Sequence, residues 1–273
     1  MKRIRKLMFE NDNGSSLIVE KRPKRYFLTT VDMGKTDENT YTASVPFYHG
    51  EIYTANRLMT RDIIGKAVML GGDKAEVLSA LSPLTECTLT VDDGRQMRGK
   101  LIGTPRFYEY PDFAFDFQFR AFSPFFLGTE VETRNSGAEE FNVVNVGDVE
   151  TPCRIVLYGK TVKVGSASGG INPRLENLTT GEYIDFPYPN LDGLTGLGDG
   201  ARIEINTDLT DRYIRWYKAG AAEPVNGFSC MDVNSTLFSL VLGKNVLKAV
   251  GTYKQTEFQY DVSVWCRGRY LEW

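Results

Sequence analysis

The chain of 273 residues is 42% hydrophobic and 25% charged, the balance of a globular protein with enough apolar surface for one large or two medium domains. Its formal net charge of −3 argues against a dedicated nucleic-acid binder, which would carry a basic excess. The basic N-terminus is followed at once by polar residues, so we expect no signal peptide, and no segment approaches the roughly 20 apolar residues of a membrane span.

Two clusters of basic residues lie near the N-terminus. The first cluster surrounds Ile4 and comprises Lys2, Arg3, Arg5 and Lys6. The second comprises Lys21, Arg22, Lys24 and Arg25. Either cluster could contact phosphates, but the acidic total favours a structural role. We therefore expect residues 2–6 to form an edge strand with a charged face, or the clusters to contact a neighbouring subunit.

The clearest helix signal begins at Asp73, which can cap the amides of a first helical turn. Glu76 follows at the spacing of a capping box. The next apolar residues form a stripe of Val77, Leu78 and Leu81. Pro83 then ends the predicted helix. A second, shorter helix is predicted over residues 53–59.

Strand patterns dominate the rest of the chain. In the strongest, alternate positions carry Phe113, Phe115, Phe117 and Phe119. This period of two puts the four rings on one face of a sheet, which must be covered. A similar alternation places Phe258, Tyr260, Val262 and Val264 on one face. Shorter strands are predicted at residues 153–158, 201–206, 212–217 and 237–242.

Turns and polar segments separate these strands. Gly94 and Gly181 each lie between two strand-like segments and predict hairpins, because glycine readily adopts a positive φ. The polar segment 128–141 predicts a linker or connecting loop, and the Gly-rich segment 187–200 predicts a long loop. One helix among many strands indicates a mainly β protein built from β-barrel or β-sandwich domains.

No catalytic, cofactor-binding or metal-binding residue is predicted. The four cysteines lack a CxxC pair, and we interpret them as small buried residues of a reducing cytoplasm: Cys87, Cys153, Cys230 and Cys266. His49 is the single histidine, and no GxSxG motif is present for it to serve as a base. The Gly-rich residues 196–200 precede a strand, whereas a phosphate site would need a helix there.

Paired carboxylates are the remaining route to catalysis, because a glycosidase needs only two acids held several ångströms apart. The candidates are Glu109, Asp112, Asp185, Asp192 and Asp199. The chain has 35 acidic residues, so some pair will always look suggestive, and we interpret these as solvated surface charges. We therefore do not expect an enzyme.

The order of several patterns extends over most of the chain. In the first half, NRLMTRDIIGKAVML precedes the predicted helix, the hairpin CTLTVDDGRQMRGKLI and the aromatic strand FDFQFRAFSPFF. In the second half, NVGDVETPCRIVLYG is followed by INPRLENLTTGEYI, ARIEINTD, LFSLVLGKNVLKA and VSVWCRGRYLEW. From about residue 56 onward, this order resembles that of the siphophage distal tail protein (Dit) family.

The resemblance implies a structural subunit at the tip of a phage tail. Residues 1–127 would form a barrel-like or sandwich-like domain that builds a homo-hexameric ring, and residues 128–273 would form a galectin-like β-sandwich that projects outward. Whether the last strand returns to the first domain is left open. The implied partners are other copies of the chain, the tail tube protein and the tail-associated hub protein, with no membrane involved. DNA would pass through the ring without specific binding, which suits a mildly acidic protein.

Two other functions stay open. The second domain could be a carbohydrate-binding module that contacts host cell-wall glycans through exposed rings. The rings considered for this role are Tyr183, Tyr188, Tyr213, Trp216 and Tyr217. The same rings could instead pack between sheets. A tail-borne glycan hydrolase would use a pair of the carboxylates named above, and accessory receptor-binding proteins could dock on the second domain.

Overall fold

A computed structural model provides the structure of the chain. It describes residues 4–35, 38–44, 51–92, 94–109, 113–160, 162–164, 167–169, 172–187, 197–251 and 260–272. The internal contacts divide the chain into two compact units. The first unit comprises Met1–Gly128 and Tyr270–Trp273, and the second unit comprises Thr129–Arg269. Each unit is a mainly β structure with its own hydrophobic core.

The first unit contains ten strands before Gly128 and a single α-helix among the described residues. The strands are β1 (Lys6–Asn11), β2 (Ser16–Glu20), β3 (Tyr26–Asp32), β4 (Glu38–Ser44), β5 (Glu51–Leu58), β6 (Asp62–Met69), β7 (Glu86–Val91), β8 (Gln96–Leu101), β9 (Arg106–Tyr108) and β10 (Ala114–Ala121). The helix α1 (Lys74–Ala80) lies between β6 and β7.

Seven strands of the first unit close into a barrel. Their order is β8-β7-β1-β2-β3-β6-β10, and pairing of β10 with β8 completes the circle. The hairpin predicted around Gly94 is confirmed as β7 and β8, and Gly94 has a φ of 85°. Closure matters because a closed sheet exposes no unpaired backbone edge.

The phenylalanines of β10 fill the barrel. Phe115, Phe117 and Phe119 are 0%, 3% and 0% exposed, as the alternation predicted. The ring of Phe9 meets Phe117 edge-on, with centroids 5.1 Å apart. The prediction that Phe113 shares this buried face is wrong, because β10 begins at Ala114 and Phe113 lies beyond the end of the ladder, 61% exposed.

A glycine makes room for the central ring of this core. Gly65 on β6 is directly opposite Phe117 on β10. A Cβ atom at position 65 would lie 2.2 Å from Cζ of Phe117, far inside van der Waals contact. Since Phe117 is itself enclosed by other rings, it cannot move aside without disturbing the core.

The predicted helix is confirmed as α1, but its surroundings differ from expectation. Asp73 caps it by accepting a hydrogen bond from the Ala75 amide at 3.0 Å. Glu76 does not make the expected capping box; its carboxylate accepts a hydrogen bond from the Tyr26 hydroxyl at 2.7 Å. Leu78, predicted in the apolar stripe, is 39% exposed, so Val77 and Leu81 form the buried contact.

Two expectations for the first unit are wrong. The short helix predicted over 53–59 is instead strand β5, because antiparallel pairing with β4 satisfies the backbone and overrides a weak helical pattern. Of the edge strand expected over residues 2–6, Lys2 and Arg3 lie outside the described residues, and Ile4 and Arg5 precede the strand. Lys6 begins β1, which is not an edge because it pairs with β2 on one side and with β7 on the other. Its charged alternate positions face the outside of the barrel, which gives the same sequence pattern as an edge.

Two arginines hold the C-terminal residues of the first unit. The Nη2 atom of Arg61 donates a hydrogen bond to the Leu271 carbonyl at 2.7 Å, and Arg61 is only 4% exposed. The guanidinium of Arg95 lies 3.8 Å from the ring centroid of Tyr270. These contacts explain why Tyr270–Trp273 group with residues far away in sequence.

The second unit is formed by the remaining strands. They are β11 (Phe126–Asn135), which starts at the boundary, β12 (Glu140–Asn145), β13 (Cys153–Gly159), β14 (Val162–Val164), β15 (Ala167–Gly169), β16 (Pro173–Asn177), β17 (Glu182–Asp185), β18 (Arg202–Asn206), β19 (Tyr213–Tyr217), β20 (Val225–Asn226), β21 (Gly243–Gly251) and β22 (Tyr260–Tyr270). Phe228–Cys230 form a single 3-10 turn.

Two sheets of the second unit enclose its core as a β-sandwich. One has the order β20-β19-β18-β13-β22-β11, and the other has the order β12-β21-β16-β17. The core between them includes Trp216 and Phe186, whose rings meet edge-on with centroids 5.8 Å apart. The hairpin predicted around Gly181 is confirmed as β16 and β17. Tyr260, Val262 and Val264 face the core as predicted, while Phe258 lies outside the described residues.

The strand predicted over 237–242 and the linker predicted over 128–141 are both wrong. Residues 237–242 make only an isolated bridge, between Leu240 and Thr151, and their apolar pattern reflects burial of Leu237, Phe238 and Leu240 in the core. Most of segment 128–141 belongs to β11 and β12, and it is polar because residues 129–132 are exposed on both faces. Of the predicted loop 187–200, residues 188–196 lie outside the described residues.

Replacing Gly65 with alanine should destabilise the first unit by about 1–3 kcal/mol, because the new methyl group overpacks the ring of Phe117. Hydrogen exchange of β6 and β10 amides in increasing denaturant measures this free energy for the first unit alone. Phe117→Leu supplies the control in a double-mutant cycle, since a smaller side chain should reduce the cost of Gly65→Ala. Equal costs in the two backgrounds would contradict the account of this packing.

Asp62 should make the stability of the first unit depend on acid pH. Two hydrogen bonds from Arg120, at 2.7 Å each, together with one from Gln118, hold the pKa of Asp62 below its usual range, against the effect of burial. A lowered pKa contributes stability at neutral pH that is lost as the pH falls through the folded-state value. Because Arg120 is half exposed, Asp62→Asn should cost only about 0.5–1 kcal/mol at pH 7.

The difference between wild type and Asp62→Asn should shrink below about pH 4, where the carboxylate of the unfolded chain becomes protonated. Unfolding free energies measured at pH 7 and near pH 3 give this difference. If Asp62→Asn lowers the free energy of unfolding equally at pH 7 and near pH 3, the ion pair of Asp62 with Arg120 is not the cause of the loss.

Candidate interaction surfaces

The described chemistry-bearing residues do not converge on one site. All four cysteines are buried free thiols, as predicted. Within the described residues, no group of three or more histidine, cysteine or acidic residues could hold a metal ion. No helix in the same part of the chain is long and apolar enough to cross a membrane. His49 lies outside the described residues.

The described candidate carboxylates belong to both units. Glu109 belongs to the first unit, whereas Asp185 and Asp199 belong to the second. Asp185 is only 4% exposed, and one of its carboxylate oxygens lies 3.2 Å from Nη1 of Arg174. Asp112 and Asp192 lie outside the described residues. Asp185 thus forms an ion pair with an arginine on the neighbouring strand of the sheet, which favours a structural role.

Two of the basic side chains near the N-terminus form ion pairs on the surface of the first unit. The ammonium of Lys24 lies 2.8 Å from Glu20, and the guanidinium of Arg25 lies 2.8 Å from Glu76. The backbone amides of Arg5 and Lys6 donate hydrogen bonds to the carboxylate of Asp92. Lys2 and Arg3 lie outside the described residues. The two ion pairs of Lys24 and Arg25 reduce the positive charge that this surface could offer to a phosphate backbone.

An apolar groove opens on the first unit, beside β9. Its volume is about 370 Å³, and it is lined by Met69, Gly71, Gly72, Lys74, Phe107, Tyr108, Glu109 and Phe113. Phe113 is 61% exposed and the neighbouring Leu70 is 55% exposed. A cluster of large exposed apolar side chains is a common mark of a protein contact surface.

The rings of this groove are bordered by cations. The ammonium of Lys74 lies 4.8 Å from the centroid of Phe107, and that of Lys66 lies 4.7 Å from the centroid of Tyr108. The Tyr108 hydroxyl donates a hydrogen bond to Asp116 at 2.7 Å, and this bond raises the pKa of Tyr108. The groove therefore combines apolar rings with lysines and with Glu109, a mixed lining of the kind found at protein contact surfaces.

Two parts of the first unit, β9 and the β4–β5 pair, have open backbone edges among the described strands. Strand β9 pairs with β10 on one side and with no described strand on the other. Strands β4 and β5 pair only with each other in the same set of residues, and form a separate two-stranded sheet. Such edges are sites at which another chain can add a strand.

The rings considered for glycan binding occupy several different environments. Trp216 is 1% exposed in the core. Arg174 lies 3.9 Å from the ring centroid of Tyr183, and Tyr188 lies outside the described residues. Trp216 is therefore not available as a stacking surface for a sugar.

Tyr213 and Tyr217 do share one face of β19, on the outer side of the larger sheet. Arg215 lies 4.0 Å from the centroid of Tyr213, and Arg202 lies 3.9 Å from that of Tyr217. On the neighbouring strands of the same sheet, the guanidinium of Arg154 lies 4.3 Å from the centroid of Trp265. This arginine–aromatic surface has no signature in the sequence, because its members become neighbours only through the strand register.

Comparison with known proteins shows similarity in structure alone. No protein-family model matches the sequence, and no curated protein matches it. The chain is similar in structure to the Dit protein of phage SPP1, whose crystal structure is described as a paradigm of the hub adsorption apparatus in phages that infect Gram-positive bacteria. The match covers 96% of this chain and 98% of the SPP1 chain. The two chains are 15% identical in sequence and the TM-score is 0.66.

Two structures of the phage P2 baseplate in its activated conformation, one with Ca and one with Sr, each contain a chain that is similar to this one. The match covers 97% of this chain and 98% of the baseplate chain. Both are 10% identical in sequence and have a TM-score of 0.48. The similarity to the SPP1 protein extends over both units. It confirms, at the level of the fold, the resemblance inferred from the sequence: the chain has the fold of a phage Dit protein.

Proposed function

We propose that the chain is a non-enzymatic structural subunit of a phage tail tip, a distal tail protein that closes into a hexameric ring. In this proposal, the first unit builds the ring, and the sandwich of the second unit is galectin-like and projects outward. The observation that carries the proposal is that the first unit closes a barrel but, among the described strands, leaves the edge of β9 open beside an apolar groove and leaves the β4–β5 hairpin with open edges of its own.

Ring formation requires two different surfaces on each subunit. In a closed ring, contacts are head-to-tail, so one surface of a subunit meets a different surface of the next. The first unit offers two such surfaces. One is the groove beside β9, and the other is the pair of open strand edges of the β4–β5 hairpin. Because exposed edges and apolar patches promote aggregation, a use that covers both is favoured.

The shared fold supports the same role. The SPP1 protein belongs to a phage adsorption apparatus, and its fold matches this chain over nearly its full length. The proposed partners are copies of the chain, the tail tube protein and the tail-associated hub protein, and the site of action is the tip of the virion tail after synthesis in the host cytoplasm. A net charge of −3 suits a conduit through which DNA passes without adhering.

A structural role also fits the chemistry of the candidate acids. A glycosidase needs two carboxylates within several ångströms of each other and one with a raised pKa. Asp185 is instead paired with Arg174, and Glu109 borders a groove with an apolar lining. These surroundings favour a role in folding and contact over one in hydrolysis.

The groove variant Phe113→Ser should weaken ring assembly at least tenfold, because removal of a central aromatic anchor typically costs about 2 kcal/mol or more at a contact. Light scattering during size-exclusion chromatography should give wild type a mass near six times 30.7 kDa. Phe122→Ser is the matched control, since Phe122 is also exposed, at 52%, but does not line the groove.

Two outcomes would count against different parts of this proposal. Rings of wild type and Phe113→Ser with equal stability would exclude the groove as the contact surface. A wild-type chain that stays monomeric at high concentration, both alone and with the tube and hub proteins, would exclude the ring.

Glycan binding by the second domain is the alternative function. Glycan binding would require a sugar to stack on the rings of Tyr213 and Tyr217, but a guanidinium group already lies over each ring. Surfaces rich in tyrosine, tryptophan and arginine are instead typical of protein contacts. We therefore propose that accessory receptor-binding proteins, and not glycans, use this surface. A cell-wall pull-down should retain none of the chain; retention that is lost in Tyr217→Ala would favour the glycan.

A further inference from the structure

Two of the buried cysteines face each other across neighbouring strands. Cys153 on β13 is directly opposite Cys266 on β22 in the antiparallel register, although the two are far apart in the sequence. Their side chains are 2% and 6% exposed, and both belong to the core of the sandwich. Both are free thiols.

The backbone hydrogen bonds fix the type of this pair. The carbonyl of Cys153 accepts a hydrogen bond from the Thr207 amide at 3.0 Å, and its amide donates one to the Thr207 hydroxyl at 2.9 Å. Both polar backbone groups of Cys153 are thus directed away from β22. The Cys153–Cys266 pair is therefore a non-hydrogen-bonded pair, the type in which facing side chains approach most closely.

This geometry is compatible with a disulfide bond. Facing residues of a non-hydrogen-bonded pair have Cα atoms about 4.5 Å apart. Disulfides join residues whose Cα atoms are roughly 4.4–6.8 Å apart, so the backbone needs little movement for the bond to form. The two sulfur atoms now have polar neighbours of their own: the Thr207 hydroxyl lies 3.9 Å from Cys153 Sγ, and the Val144 carbonyl lies 3.9 Å from Cys266 Sγ.

We propose that Cys153 and Cys266 are a latent disulfide site that closes when the folded protein meets an oxidising medium. The oxidant is a low-molecular-weight disulfide. One cysteine thiolate attacks it to form a mixed disulfide and release one small thiol. The thiolate of the other cysteine then attacks the protein-bound sulfur, forms the Cys153–Cys266 bond and releases the second small thiol. Two protein thiols are oxidised and one small disulfide is reduced.

The surroundings of the pair make this reaction slow. Burial raises the pKa of Cys153 to about 12, with the nearby Cys266 thiol acting in the same direction, and burial also raises the pKa of Cys266. Since the thiolate is the reacting form, few molecules react at neutral pH without local opening of the strands. The site would stay reduced during synthesis in a reducing cytoplasm and close later in the oxidising medium outside the cell.

Closure would stabilise the second unit. A bond between these strands closes a long loop of the unfolded chain, and long loops give the largest entropic stabilisation. The bond would also hold β22, which ends at Tyr270, in its place beside β13. This inference does not depend on ring assembly.

The test uses the folded wild-type chain incubated with oxidised glutathione at pH 7 and pH 8.5, then unfolded and alkylated. Peptide mass mapping without reduction should find residues 153 and 266 joined, with the loss of two hydrogens. Cys87 and Cys230 should be alkylated. The reaction should be faster at pH 8.5, and the Tm of the oxidised chain should rise by several degrees.

Variants separate this bond from other effects of oxidation. Cys266→Ala should lose the rise in Tm, while the matched control Cys87→Ala, which is also buried but lies in the first unit, should keep it. The mass map of the wild type decides the matter even if Cys266→Ala fails to fold. Four alkylated cysteines, a bond to Cys87 or Cys230, or glutathione adducts alone would overturn the proposal.

Discussion

The packing of three phenylalanines on one strand is the interaction on which the first unit depends. Phe115, Phe117 and Phe119 point from β10 into the barrel, and the same strand pairs with β6, β8 and β9. Because β10 is the last strand of the seven-strand order and pairs with the first strand, β8, the strand that carries the core rings is also the strand that closes the barrel. The absence of a side chain at Gly65 is part of this arrangement, since it leaves space for the central ring.

Closure of the barrel determines which edges remain for contact with other molecules. The pairing of β10 with β8 satisfies the barrel strands, whereas β9 and the β4–β5 hairpin keep open edges among the described strands. The end of the β10 ladder also leaves Phe113 exposed beside the groove. The open edge of β9 and the exposed ring of Phe113, which we propose for ring assembly, thus both lie where the pairing along β10 ends.

The sequence predicted much of the local structure, because strands and turns have short-range signatures. The alternation of Phe115, Phe117 and Phe119, the hairpin at Gly94 and the cap at Asp73 were all identified from neighbouring residues. Errors arose where long-range pairing decides the outcome. Residues 53–59 form a strand because β4 lies beside them, and 237–242 are buried without a ladder. The groove, the arginine–aromatic surface and the Cys153–Cys266 pair depend on register between distant segments, which a single sequence does not reveal.

Electron cryo-microscopy of the intact tail tip tests the central claim most directly. The account predicts six copies of the chain in one closed ring, with the barrels of the first units around the channel and the sandwiches of the second units outside it. A tail tip in which the sandwiches line the channel, or in which the barrels make no contact with one another, would contradict it.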